Sequence, residues 1–104
     1  MLVLYSYHLV DDSEFLKFYK GNKIMLPHSL MDKIESFKFP ADQQRSLAAD
    51  LMVRYFYSKI LKLKWSQIQF DYNDHDKPSL NKIDEHFFNI SHSGNQVVVA
   101  FSDR

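Results

Sequence analysis

One stretch constrains this chain more than any other: residues 87–102, FFNISHSGNQVVVAFS. Phe88, Ile90 and His92 alternate with Asn89, Ser91 and Ser93, the two-residue period of a half-buried strand. Residues 96–101 form a short apolar run rich in β-branched side chains. Between them Gly94-Asn95 suits a two-residue turn, because glycine takes positive φ without steric cost. Such a turn fixes the register, setting Ser93 opposite Gln96, His92 opposite Val97, Ile90 opposite Val99 and Phe88 opposite Phe101. One face of the hairpin is then apolar with His92 at its rim, and the other carries Asn89, Ser91 and Ser93. A Ser-His-Ser cluster on so rigid a support is a common placement for a binding site.

Upstream, the periodicity predicts the remaining elements. Residues 2–9 alternate as a strand, with Val3, Tyr5, Tyr7 and Leu9 on one side. Asp11, Asp12 or Ser13 can cap a short helix that runs through Tyr19 and ends at Gly21-Asn22. Pro27 suits the first turn of a second helix, residues 27–37, with Leu30, Met31 and Ile34 at helical spacing, and Pro40 ends that segment. A long helix follows over residues 41–61, with Asp42 as its expected N-cap. Two of its i+4 rows are apolar: Ala48, Met52, Phe56, Ile60 and Ala49, Val53, Tyr57, Leu61. A third, Ser46, Asp50, Arg54, Ser58, is polar throughout, so the helix is expected to be buried around most of its circumference and to show one narrow polar stripe. Asp50 and Arg54 can pair across that stripe for a few tenths of a kcal/mol. Ser66 can start a short turn, residues 68–72 form a strand candidate, residues 73–76 a polar loop and residues 79–86 a polar connection. Pro78 holds Lys77 in extended geometry. Together these predict an α+β domain, a small antiparallel sheet packed against the long helix.

The composition fits one small globular domain: 104 residues, nine Phe, six Tyr and no Cys. Zero Cys removes disulfide frameworks and thiolate metal sites and suits a reducing, cytoplasmic setting. Thirteen basic residues balance thirteen acidic ones, so no net basic charge recommends nucleic acid as a partner. The apolar start, residues 1–10, has no basic flank and is too short for a signal peptide or a membrane span.

The hairpin belongs to an ordered set. Arg45-Ser46 opens the long helix, Lys77-Pro78 follows, and NISHSG occupies residues 89–94. Over residues 39–101 this set resembles the surfactin-type 4′-phosphopantetheinyl transferases, which move the phosphopantetheine arm of coenzyme A onto a serine of an acyl or peptidyl carrier protein. Residues before 39 fit by strand-helix pattern only. The resemblance implies one half of a two-lobed fold. It also implies roles in coenzyme A binding: Arg45 and Ser46 on the 3′-phosphate, Lys77 and Pro78 at the nucleotide end, Ser91 and His92 on the phosphates. Chemistry agrees, since Arg meets phosphate bidentately and Lys as a mobile point charge. The family usually has Gly before the Lys, where this chain has Asp76.

Each residue keeps a plainer reading. Lys77 can be a solvated lysine beside a turn proline, Arg45 and Ser46 an exposed helix turn, and His92 a structural residue between two turn serines. His8, His28, His75 and His86 have no metal-ligand spacing, and residues 74–76 read as a solvated loop. In the family, a Mg²⁺-binding Gly-x-Asp-x-Glu strand and a Trp-x-x-Lys-Glu helix follow the hairpin. The sequence in hand runs to Asp103-Arg104. The resemblance therefore implies an N-terminal lobe over residues 1–104 with no metal ligands or catalytic base of its own. Such a lobe is expected to be inactive alone and to self-associate or pair with a second lobe. A non-catalytic coenzyme A-binding or assembly module is the alternative reading.

Overall fold

The computed structural model describes residues 2–65, 68, 70–72, 78–80 and 87–102. Its order is β1 (Leu2–His8), α1 (Asp12–Asn22), a 3₁₀ turn (Lys23–Met25), α2 (His28–Ser36), α3 (Pro40–Leu61), β2 (Phe70–Tyr72), β3 (Pro78–Leu80), β4 (Phe87–Ser93) and β5 (Gln96–Ser102). The α+β expectation holds. Strands β1, β5 and β4 form an antiparallel sheet in that order, and β2 pairs with β3 in a separate two-stranded ribbon.

The hairpin takes the register that its turn dictates: Ser93↔Gln96, His92↔Val97, Ile90↔Val99 and Phe88↔Phe101. Gly94 supplies the positive φ, at 58°. Strand β1 adds to the other side of β5, with Val3 opposite Phe101 and Tyr7 opposite Val97. The inward face of the sheet thus gathers Val97, Val99, Phe101 and Phe88, all buried, against Ala49, Val53, Phe56 and Tyr57 of α3. Phe101 is the centre of this core. Its ring stacks on Phe56 at 3.9 Å and meets Tyr5 and Tyr57 edge-on at 5.3 and 5.5 Å. A second cluster, Phe15, Tyr19, Leu30, Ile34 and Leu47, ties α1 and α2 to the other side of α3.

Four expectations need correction. Pro40 opens α3 rather than closing the preceding segment: it stands at the first helical position, where its fixed φ is pre-organised and no N–H is missed. Asp42 accordingly lies inside the first turn and is not the cap; Phe39 holds that position with no side-chain bond. The polar row of α3 is not a solvated stripe, because Asp50 and Arg54 are buried, with side chains 9% and 6% exposed. Ser79 and Leu80, expected within a polar connection, belong to β3 with Pro78 instead. Lys77, Ser66 and the loop at residues 73–76 lie outside the described residues. No described helix is long and apolar enough to cross a membrane.

Candidate functional site

The start of α3 and the β4–β5 turn come together. Arg45 lies in the second turn of α3 and donates from Nη2 to the carbonyl of Gly94 at 3.4 Å. Its Nη1 donates to Asp42 Oδ1 at 3.0 Å in an ion pair three residues apart. The Arg45 Nε and the Ser46 hydroxyl are buried and have no hydrogen-bond partner. Buried polar groups in folded proteins are nearly always paired, so two adjacent unpaired donors beside a helix N-terminus are informative. A helix start carries uncapped N–H groups and a partial positive charge. The arrangement favours an anion.

Strand alternation divides the serine-histidine pair. His92 lies on the face that α3 covers, two residues from Gly94, and is exposed at the rim of that face. Ser91 is exposed on the opposite face, across from Val98. Arg45, Ser46 and His92 therefore share one side of the sheet, and Ser91 does not. Pro78 begins β3, and β3 approaches β4. The Lys77 placement lies outside the described residues.

Three residues shape this region: the sequence reading passed over Gln44 and gave Asp42 and Arg54 other roles, a helix cap and an exposed pair. Asp42 neutralises one edge of Arg45, and its spacing of three on a helix was the available signal. Gln44, 2% exposed, accepts from Tyr7 Oη at 2.9 Å and from Val10 N at 2.6 Å, and donates to Val10 O at 3.1 Å. It locks the start of α3 to the end of β1. Further along α3, Arg54 donates through Nε to Asp50 and through Nη1 to the carbonyls of Trp65, at 3.2 Å, and Ile68, at 2.9 Å. That network pins the segment after α3 to the helix. Burial pushes the Asp50 carboxyl above its usual range, and the Arg54 charge opposes the shift. No three His, Asp or Glu side chains among the described residues converge as a metal site.

Comparison with known proteins agrees with this architecture. The crystal structure of Helicobacter pylori holo-acyl-carrier-protein synthase in complex with coenzyme A has the same fold. The TM-score is 0.66 at 17% identity, and the match covers 98% of each chain. The family described as "4′-phosphopantetheinyl transferase, N-terminal" matches residues 16–104. Among curated relatives, the 4′-phosphopantetheinyl transferase psf-1 of Bacillus pumilus is 35% identical over 69 residues, 66% of this chain and 30% of its own length. The transferase Sfp of Bacillus subtilis is 34% identical over 73 residues, 70% of this chain and 33% of its own. The L-aminoadipate-semialdehyde dehydrogenase-phosphopantetheinyl transferase of Mus musculus is 34% identical over 74 residues, 66% of this chain and 24% of its own. The fold is thus that of a holo-acyl-carrier-protein synthase. The chain belongs to the 4′-phosphopantetheinyl transferase family, matching its N-terminal domain. It spans about a third or less of the curated relatives named here.

Proposed function

We propose that this chain is the N-terminal lobe of a surfactin-type 4′-phosphopantetheinyl transferase, an enzyme that transfers phosphopantetheine from coenzyme A to a carrier-protein serine. In this reading the lobe holds the nucleotide end of coenzyme A. The carrying observation is the pair of unpartnered buried donors, Arg45 Nε and Ser46 Oγ, beside the hairpin turn. Each unmet donor costs about 1–3 kcal/mol, and phosphate oxygens would satisfy both. Arg45 and Ser46 take the 3′-phosphate, and His92, on the same face, adds a donor to a phosphate. Lys77 and Pro78 meet the nucleotide, and Ser91, on the far face of β4, stands outside this cluster.

Transfer of this kind draws on metal charge to stabilise the pyrophosphate leaving group. Following the resemblance, the metal is assigned to a second lobe, and binding and orientation to this one. The enzyme is proposed to act in the cytoplasm. Residues 1–104 alone should leave an apo carrier protein unmodified by mass spectrometry, with coenzyme A and Mg²⁺ supplied. Leu2, Leu4 and Phe87, exposed by 70, 63 and 52% on the outer sheet face, are an apolar surface on which self-association or pairing with the second lobe is proposed.

Calorimetric titration of coenzyme A and its 3′-dephospho form tests the binding role. The unmodified chain should prefer coenzyme A, and Arg45→Ala or Ser46→Ala should abolish the preference. Equal binding of both ligands by the unmodified chain would remove the 3′-phosphate assignment.

A further inference from the structure

Among the described residues strand β1 is an edge strand, since the order β1-β5-β4 leaves one of its sides open. Which backbone groups face that side follows from the register. The Leu9 N–H donates to Asn95 O at 2.7 Å, extending the pairing of Tyr7 with Val97 by two residues. In an antiparallel pair, residues that exchange bonds alternate with residues that turn their groups away. Val3, Tyr5 and Tyr7 therefore bond to β5, whereas Leu4, Ser6, His8 and Val10 direct N–H and C=O to the open side. Val10 is already satisfied there: the buried Gln44 amide bonds both its N–H and its C=O, as the peptide group of a neighbouring strand would. No described residue hydrogen-bonds the backbone of Leu4, Ser6 or His8 on that side.

The open side adjoins a cavity of about 380 Å³ between β1, α1 and α3. Its walls are largely apolar, among them Phe15, Phe18, Leu47, Leu51 and Met52, with Glu14 also lining it. Phe18 is more than half exposed. The edge itself, LVLYSYH, lacks the lysine, proline or bulge by which proteins usually guard such strands.

We infer that the β1 edge and this cavity form a strand-addition site for an extended peptide segment of a partner protein. The segment's alternate apolar side chains enter the cavity, and a lysine or arginine meets Glu14. A row of outward backbone donors and acceptors calls for another backbone, and pockets beside it read every second side chain. The charge complement favours such a segment over a second copy on the two- to fivefold scale of an exposed ion pair. Another β1 brings only tyrosines and His8 as ionisable side chains and so offers Glu14 no lysine or arginine.

The probe is a short acetylated and amidated peptide in which valine and leucine alternate with threonine and one end carries lysine. Fluorescence anisotropy of its labelled form should show saturable binding to the 104-residue chain. The same peptide with N-methylated backbone amides keeps its side chains but loses its donors, and should bind at least tenfold more weakly. Ser6→Pro removes an outward N–H that no internal strand uses, and should weaken binding at least tenfold with an unchanged circular dichroism spectrum. Glu14→Lys should weaken the lysine peptide two- to fivefold at low salt and favour a glutamate-tipped version, the scale of an exposed ion pair. Equal binding of the N-methylated peptide would overturn the proposal, as would no binding at millimolar concentration. So would a dimer of the chain that Ser6→Pro dissolves and the peptide does not displace, which would make a second copy the occupant.

Discussion

The guanidinium of Arg45 reaches across 49 positions of sequence to the carbonyl of Gly94, Nη2 to O at 3.4 Å. The bond is long and exposed, so it contributes little to stability. Its effect is positional: it holds the guanidinium over the hairpin turn while Asp42 takes Nη1 and Nε stays buried without a partner. Helix start, turn and charge are thereby fixed relative to one another before any ligand arrives.

Asp42 should therefore act as a brake on anion binding. Its carboxylate sits 3.0 Å from Arg45 Nη1 and is about half exposed. Asp42→Asn keeps an acceptor for Arg45 but removes the charge that an incoming phosphate must tolerate. Coenzyme A affinity is expected to rise two- to fivefold, the value of a solvent-screened pair at roughly 0.4–1 kcal/mol. Calorimetry at low and high salt checks this; the gain should shrink with salt. An unchanged or weaker affinity would place the phosphate away from Arg45.

Gly94 sits at φ +58° with open space around its Cα. Alanine there meets no atom, so its cost is backbone strain alone, about 1 kcal/mol. Gly94→Ala should lower stability to urea by that amount. Gly94→Asn should cost less, because asparagine tolerates this conformation. Equal losses would mean that the turn rearranges rather than strains.

The hairpin and its register were legible in the sequence because a period of two and a Gly-Asn turn leave few alternatives. Arg45 near that turn was legible only through resemblance, since nothing local in residues 41–46 announces a partner near residue 94. The misread positions share a cause. Pro40 has one meaning after a helix and another at a helix start, and the choice depends on where the next apolar row begins. Asp50 and Arg54 look like a solvated pair by spacing, yet the segment after α3 folds back over them. A local pattern cannot reveal which tertiary neighbour will cover it. Gln44 was invisible for the same reason, because its partners Tyr7 and Val10 lie in β1 and just beyond its end.

Phe101 should be the least replaceable residue of the sheet. It is fully buried and touches Tyr5, Phe56 and Tyr57. Phe101→Ala removes the ring from both halves of the aromatic stack, at about 3–5 kcal/mol. For a domain whose whole stability is about 5–15 kcal/mol, that loss should bring the urea midpoint down sharply. Phe101→Leu, which keeps most of the volume, should cost less than half as much. Similar midpoints for the two variants would show that the cavity collapses at little cost.

The buried pair on α3 makes the sharpest pH prediction. Arg54 supplies the charge opposite Asp50 and two bonds to the carbonyls of Trp65 and Ile68. Removing one partner of a buried pair costs about 3–5 kcal/mol, but the two removals differ in kind. Arginine cannot shed its proton, whereas a carboxyl can gain one. Burial already holds Asp50 above its ordinary value, with Arg54 as the main opposing influence. A carboxyl raised in the folded state binds a proton there that the unfolded chain has released. Its contribution to stability is therefore greatest below the unfolded value and is lost as pH rises through the folded one. Without Arg54 the folded value climbs further and the window widens toward neutrality. Arg54→Met should then be markedly less destabilised at about pH 5.5 than at about pH 7.5, relative to the unmodified chain. Asp50→Asn, which deletes the titrating group, should show a deficit that varies far less between those conditions. Urea denaturation of the three proteins at both pH values is the measurement. An Arg54→Met deficit that stays constant would mean that Asp50 remains ionised and finds another partner.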